Sequence, residues 1–194
     1  MLSKQLFVGE NLVLDYYDLD KDPAEEAKYA ADPDYFWGMD NDAFPRPLSV
    51  FEIKKKREEN LKAVMDKGNA YYFALRKKED NCFLGVLAFP WVWWNSRSAF
   101  MAVLLGNPEL SRQFYDEALS MGLRYAFEEL DLKELTVNTG EFQPHIMEAL
   151  FRAGLHQAVQ MRENVYRDGH YYDKIMMEML QEEWQLKSAE VNRD

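Results

Sequence analysis

The sequence predicts a mixed α/β domain in which about seven strands are interleaved with about four helices. One observation behind this is periodicity. Short runs rich in β-branched and aromatic residues, bounded by turn residues, alternate with longer stretches whose apolar residues recur every three or four positions. The other is composition, since 47% hydrophobic residues in a chain of 194 can supply one continuous core.

Residues 12–17 have strand character between Gly9 and an acidic turn at 18–22. Pro23 sits at a favoured first-turn position and opens a short helix to about residue 31. Residues 32–48 lack periodicity and are broken by Pro33, Pro45 and Pro47, so a loop is expected. With Tyr35, Phe36, Trp37 and Phe44 in it, that loop should fold back over another part of the chain. Ser49 with Glu52 is a capping-box signature, and Val50, Ile53, Leu61, Val64 and Met65 mark the apolar stripe of a helix that stops at Gly68. Strands at 70–76 and 83–94 flank a turn at 77–81, and a turn at 95–97 leads to a strand at 99–105. Then come a helix at 111–130, a strand at 134–138, a helix at 143–153, and two strands, 156–166 and 171–180, around Asp168-Gly169, a strong hairpin signal. One domain is expected, with a core over about 9–184 and a polar, frayed tail over 185–194.

A net charge of -11 weighs against nucleic acid, because binding a polyanion needs a cationic footprint. The basic run at Lys54–Arg57 lies beside Glu58 and Glu59 in a helical pattern and is expected to be a solvated face. No apolar run is long enough to cross a bilayer, and the first six residues lack the apolar region of a signal peptide. No membrane partner is expected. The lone Cys82 suits a reducing cytoplasm and is expected to be a small core residue.

The segment from Leu105 to Leu119 looks like a strand end, a short loop and the opening of an amphipathic helix, a place where free backbone N–H groups can hold a phosphate. Other marks surround it: Leu84-Gly85-Val86, Asn95-Ser96-Arg97-Ser98-Ala99, Tyr125-Ala126-Phe127, Phe151-Arg152-Ala153-Gly154-Leu155, and the tail 167–173 with Glu182-Glu183-Trp184. In their order and spacing they resemble the GNAT N-acyltransferases, in particular the branch with the ribosomal-protein N-terminal acetyltransferases. The resemblance covers roughly residues 9–184.

That resemblance implies a twisted, mostly antiparallel sheet with two central parallel strands, 99–105 and 134–138, splayed into a V. It implies acetyl-CoA, or another acyl-CoA, with its arm along Val103 and Leu105, its pyrophosphate over Arg112, Gln113, Phe114 and Tyr115, and Gln143 nearby. The acceptor is a primary amine, on a peptide N-terminus or a small molecule, attacking the thioester directly; a homodimer is common among such proteins. Such a reaction needs proximity, a base and an oxyanion donor. Glu141 is the best-placed carboxylate to accept the proton, and His145 has the better unperturbed pKa. Tyr35, Trp37, Trp94 and Tyr172 are candidates for the amine pocket. Trp91 and Trp93, at alternate strand positions, are expected in the core, with Trp94 on the opposite face. No metal enters this reading.

The chain also departs from the family pattern. Its usual glycines are replaced by Gln113 and Tyr115, which narrow the space for a pyrophosphate. Phe100 stands where a carboxylate is frequent, Gln143 where an asparagine is, and Leu150 where a tyrosine often acts as general acid. Two readings therefore stay open, an active transferase with a rebuilt site and a degenerate scaffold serving as a ligand-binding or interaction module.

Overall fold

The computed structural model describes residues 6–40 and 43–191. The N-terminal segment 1–5, residues 41–42 of the expected loop and the last three residues of the tail lie outside the described part. The elements run β1 (Leu12–Asp15), α1 (Asp22–Tyr29), α2 (Pro33–Met39), α3 (Val50–Lys67), β2 (Tyr71–Lys77), β3 (Phe83–Trp93), β4 (Ser98–Leu105) and α4 (Pro108–Arg124). A π-helical turn over Tyr125–Glu129 extends α4, and β5 (Glu134–Gly140), α5 (Pro144–Ala153), β6 (His156–Arg167), β7 (His170–Leu180) and α6 (Gln181–Val191) follow.

Seven strands form one sheet in the order β1-β2-β3-β4-β5-β7-β6, antiparallel except for β4 and β5. The parallel pairing runs from Ser98 opposite Glu134 to Met101 opposite Val137 and stops, although both strands continue. The main core packs one face of the sheet, including Leu87, Phe89, Met101, Val103, Leu135 and Val137, against Phe114 and Leu119 of α4 and Leu150 of α5. Smaller clusters join α1–α3 to the other side, with Tyr35 and Ile53 beside Leu104. Gly85 lets β3 and β4 approach: at φ 157° a Cβ there would meet the Leu104 carbonyl oxygen at 1.9 Å.

Several local expectations change. The 32–48 segment contains α2, whose first turn is held by the Asp32 side chain accepting the Asp34 N–H at 2.8 Å. Ser49 and Glu52 do form a capping box, but only Ile53 and Arg57 of α3 are fully buried; Val50 and Met65 are exposed. Arg57 therefore does not belong to a solvated face. It reaches the buried carboxylate of Glu26 through two nitrogens, and Tyr17 and Tyr35 donate their hydroxyls to the same group at 2.6 and 2.9 Å. Burial opposes the charge on Glu26, but the Arg57 charge and these hydrogen bonds outweigh it, and its pKa is lowered.

β3 slips register between Ala88 and Trp91, where Pro90 brings no N–H to the ladder. The slip reverses the alternation: Val92 is buried, while Trp91 and Trp93 are 40% and 39% exposed rather than in the core. Cys82 is exposed in the turn before β3, and a hydrogen bond with Asp80 pushes its thiol pKa up. The chain past Leu180 forms α6 through Val191 instead of fraying from 185, anchored by Trp184 stacked on Phe127 at 5.9 Å. On β7, Ile175, Met177 and Met179 are buried, and β6 forms the outer edge with two register slips, at Gln157/Val159 and Met161/Val165. None of the described helices is long and apolar enough to cross a membrane.

Candidate active site

Beyond Met101 and Val137 the two parallel strands separate, so the β5-facing backbone of residues 102–105 has no partner strand. A cavity of 310 Å³ fills the wedge. Its walls are β4 from Phe100 to Leu105, Val137 and Asn138 of β5, Asn107, Pro108, Ser111 and Tyr115 at the start of α4, and Gln143, His145 and Ile146 at the start of α5. α2 covers the remaining side. Trp37 packs edge-on against Phe142 at 5.2 Å, Phe142 packs against Tyr172 at 5.7 Å, and Arg167 lies over Phe142 at 4.8 Å while ion-pairing with Asp34.

The structure brings Val103, Leu105, Tyr115, Gln143, His145, Tyr35 and Trp37 to this cavity. The Tyr35 hydroxyl is committed to Glu26. The other candidates lie elsewhere. Glu141 is exposed and accepts the Asp173 N–H at 2.8 Å. Phe114 is a core side chain, and Arg112 and Gln113 are exposed on the outside of α4. Tyr172 stands behind Phe142. Trp94 lies past the end of β3, 45% exposed, donating its indole N–H to the Gly68 carbonyl at 3.1 Å.

Ser111, which the sequence did not single out, is buried with its Oγ 3.1 Å from His145 Nε2. Its place one helical turn before Tyr115, on the face that also carries Phe114 and Ala118, was the available signal. Burial first, and the nearby Arg112 charge second, lower the His145 pKa, so its ring is neutral at neutral pH and can accept a proton. The cavity presents Asp32, Asp34 and Asp40, and no lysine or arginine among the described residues. Asp40 is paired with Lys56 at 2.8 Å. Two polar side-chain atoms in this region, Asn138 Oδ1 and Thr139 Oγ1, are buried without a hydrogen-bond partner.

The expected phosphate cradle takes a different form. α4 begins at Pro108, three residues before the expected start, so the N–H groups of residues 112–115 lie inside the helix, where each bonds a carbonyl four residues back. At its first turn, Pro108 has no N–H, the Leu110 N–H is taken by the Asn107 side chain at 2.9 Å, and Glu109 adds a negative charge. The residues present fit a thioester on an extended amide arm, which can pair with the open β4 edge. A diphosphate would rely on side chains at the mouth, with the exposed Arg112 having no ion-pair partner among the described residues.

Residues 11–156 match the model of the acetyltransferase (GNAT) domain, so the chain belongs to the GNAT acetyltransferase family. No curated protein sequence matches it. Among solved structures, the spermidine/spermine N-acetyltransferase SpeG from Vibrio cholerae superposes with a TM-score of 0.74 at 15% identity, over 93% of this chain and 99% of that one. A dodecameric spermidine N-acetyltransferase from the same organism gives 0.70 at 17% identity, over 93% and 99%. A Vibrio cholerae protein described as a ribosomal-protein-serine acetyltransferase gives 0.69 at 15% identity, over 90% and 96%. At these identities the likeness is one of fold.

Proposed function

We propose that this protein is an acyl-CoA-dependent N-acetyltransferase whose acceptor is a cationic primary amine, on a small molecule or a peptide N-terminus. The observation that carries this reading is the wedge between β4 and β5, with an unpaired strand edge on one side and His145 in its wall. Acetyl-CoA, when bound, supplies an activated acyl carbon. The chain's own groups do the rest. The open β4 edge orients the arm, Arg112 attracts the diphosphate by its side chain, and Asp32, the one lining aspartate without an ion-pair partner among the described residues, favours a positively charged acceptor. An ammonium has no lone pair, so it must first lose a proton. His145 accepts it, because Glu141 faces β7 and not the cavity. Exclusion of water by α2 and by the Trp37–Phe142 contact preserves the thioester for the amine.

The capped, acid-bearing start of α4 favours a second reading, a scaffold that holds a ligand without transferring an acyl group. One experiment separates them. Purified protein is assayed with acetyl-CoA and either spermidine or a serine-initiated peptide, beside calorimetry with acetyl-CoA alone. Transfer is expected, falling roughly 10²–10⁴-fold in His145→Gln. It should also fall as pH drops through a value below the ordinary 6.5 of histidine, because only the neutral ring can accept a proton. Absence of binding heat at millimolar acetyl-CoA with folded protein would sink the transferase reading.

A further inference from the structure

Tyr115 is 4% exposed, belongs to the main core cluster and also lines the central cavity beside Val103, Leu105 and Asn138. Its hydroxyl has no hydrogen-bond partner among the described residues. The ring is buried, but the hydroxyl is not one of the polar atoms sealed from water without a partner, so it opens to the cavity it lines. The other hydroxyl groups at the cavity are already committed, Ser111 with His145 and Tyr35 with Glu26. An unmet donor in the wall of a cleft points to an acceptor atom on whatever fills it.

Resting on the transfer reading above, we infer that Tyr115 donates a hydrogen bond to the acyl oxygen of the bound thioester, and that this bond strengthens as negative charge gathers there during attack. In that step the amine nitrogen bonds to the acyl carbon, and the carbon–sulfur bond breaks with its electron pair staying on sulfur. The nitrogen's proton leaves through His145. Tyr115 keeps its own proton throughout. Burial pushes its pKa up, so the phenol remains a donor at any working pH and is a poor acid. The need for such a donor follows from the lining. With three aspartates and no lysine or arginine facing the cavity, charge on the acyl oxygen must be met by neutral groups. The residue that narrows the cleft relative to glycine thus supplies part of its chemistry.

Tyr115→Phe tests this because it removes one oxygen and keeps the ring. If the hydroxyl has no structural partner, the variant melts at the wild-type temperature or above it. Its acetyl-CoA dissociation constant by calorimetry stays within about threefold, since the interaction matters chiefly in the transition state. Its kcat with acetyl-CoA and the accepted amine drops roughly 10²–10³-fold, as for loss of one oxyanion donor. Near-wild-type turnover would overturn the inference. So would a clearly lowered melting temperature, which would show a structural partner, or lost acetyl-CoA binding, which would show a ground-state role. A wild-type protein that transfers nothing to either amine defeats the transfer reading itself, and this inference with it, before any variant is made.

Discussion

The buried carboxylate under α1–α3 and the polar lining of the wedge are built on opposite terms. Glu26 receives two tyrosine hydroxyls and two guanidinium nitrogens and has no exposed surface. On β5 at the wedge, Asn138 Oδ1 and the neighbouring Thr139 Oγ1 are withdrawn from water without protein partners, and Tyr115 lines the cavity with its hydroxyl unpaired. Both regions meet at α2, since Tyr35 reaches into the first and borders the second. A polar group closed off with all its hydrogen bonds made holds structure together. One closed off without them is maintained at a cost to stability, which is characteristic of positions kept for a ligand or for chemistry.

Substitutions can break this contrast. The largest effect is expected from Arg57→Ala, which leaves Glu26 charged and unpaired in the interior, a loss of about 3–5 kcal/mol by urea denaturation. A loss below about 1 kcal/mol would mean that water reaches Glu26 and that the site is not closed. The network should also have an acid limit. The Glu26 pKa is lowered in the folded protein, so its contribution is present above the ordinary carboxylate value of 4.5 and fades as pH falls through the folded value. Tyr35→Phe removes one hydrogen bond to the charged group and is expected to cost about 1.5–3 kcal/mol. It should also loosen α2 over the cavity, visible as faster amide exchange in residues 34–39. The smallest effect belongs to Thr139→Val, where the hydroxyl has nothing to lose: stability should be unchanged or rise by up to about 1 kcal/mol. A loss there as large as that of Tyr35→Phe would erase the distinction.

The strands along the chain and the hairpin at Asp168-Gly169 follow from local signals that the tertiary structure reinforces, whereas the parallel pair was legible only through the family resemblance. The start of α4 was also encoded, because Asn107-Pro108 is an N-cap followed by proline at the first helical position. The helix was expected to start at residue 111 instead, and with that came the expectation of free N–H groups at 112–115. α2 was missed because seven residues show too little periodicity, although Asp32-Pro33 carries the same kind of signal. Trp91 and Trp93 were misplaced because simple alternation ignores the bulge that Pro90 creates. Arg57 illustrates a different limit: no local pattern says which member of a basic run will meet a buried acid 31 residues earlier in the chain. The unmet atoms of the wedge were beyond reach for a similar reason, since they depend on the residue at which β5 leaves β4.

One feature of β6 bears on how the molecule behaves in a crowded solution. This outer strand spans His156–Arg167 and exposes Val159 and Met161, a combination that in a straight strand would be a template for a neighbouring chain to add on. Its two register slips break that template. At the second, Glu163 turns to φ 52° and points its N–H back to the Asp173 carboxylate at 2.8 Å. The free donors and acceptors along the rim are thereby cut into pieces shorter than a typical strand. An arriving strand finds nowhere to lie flat, so the rim resists aggregation while keeping its apolar side chains.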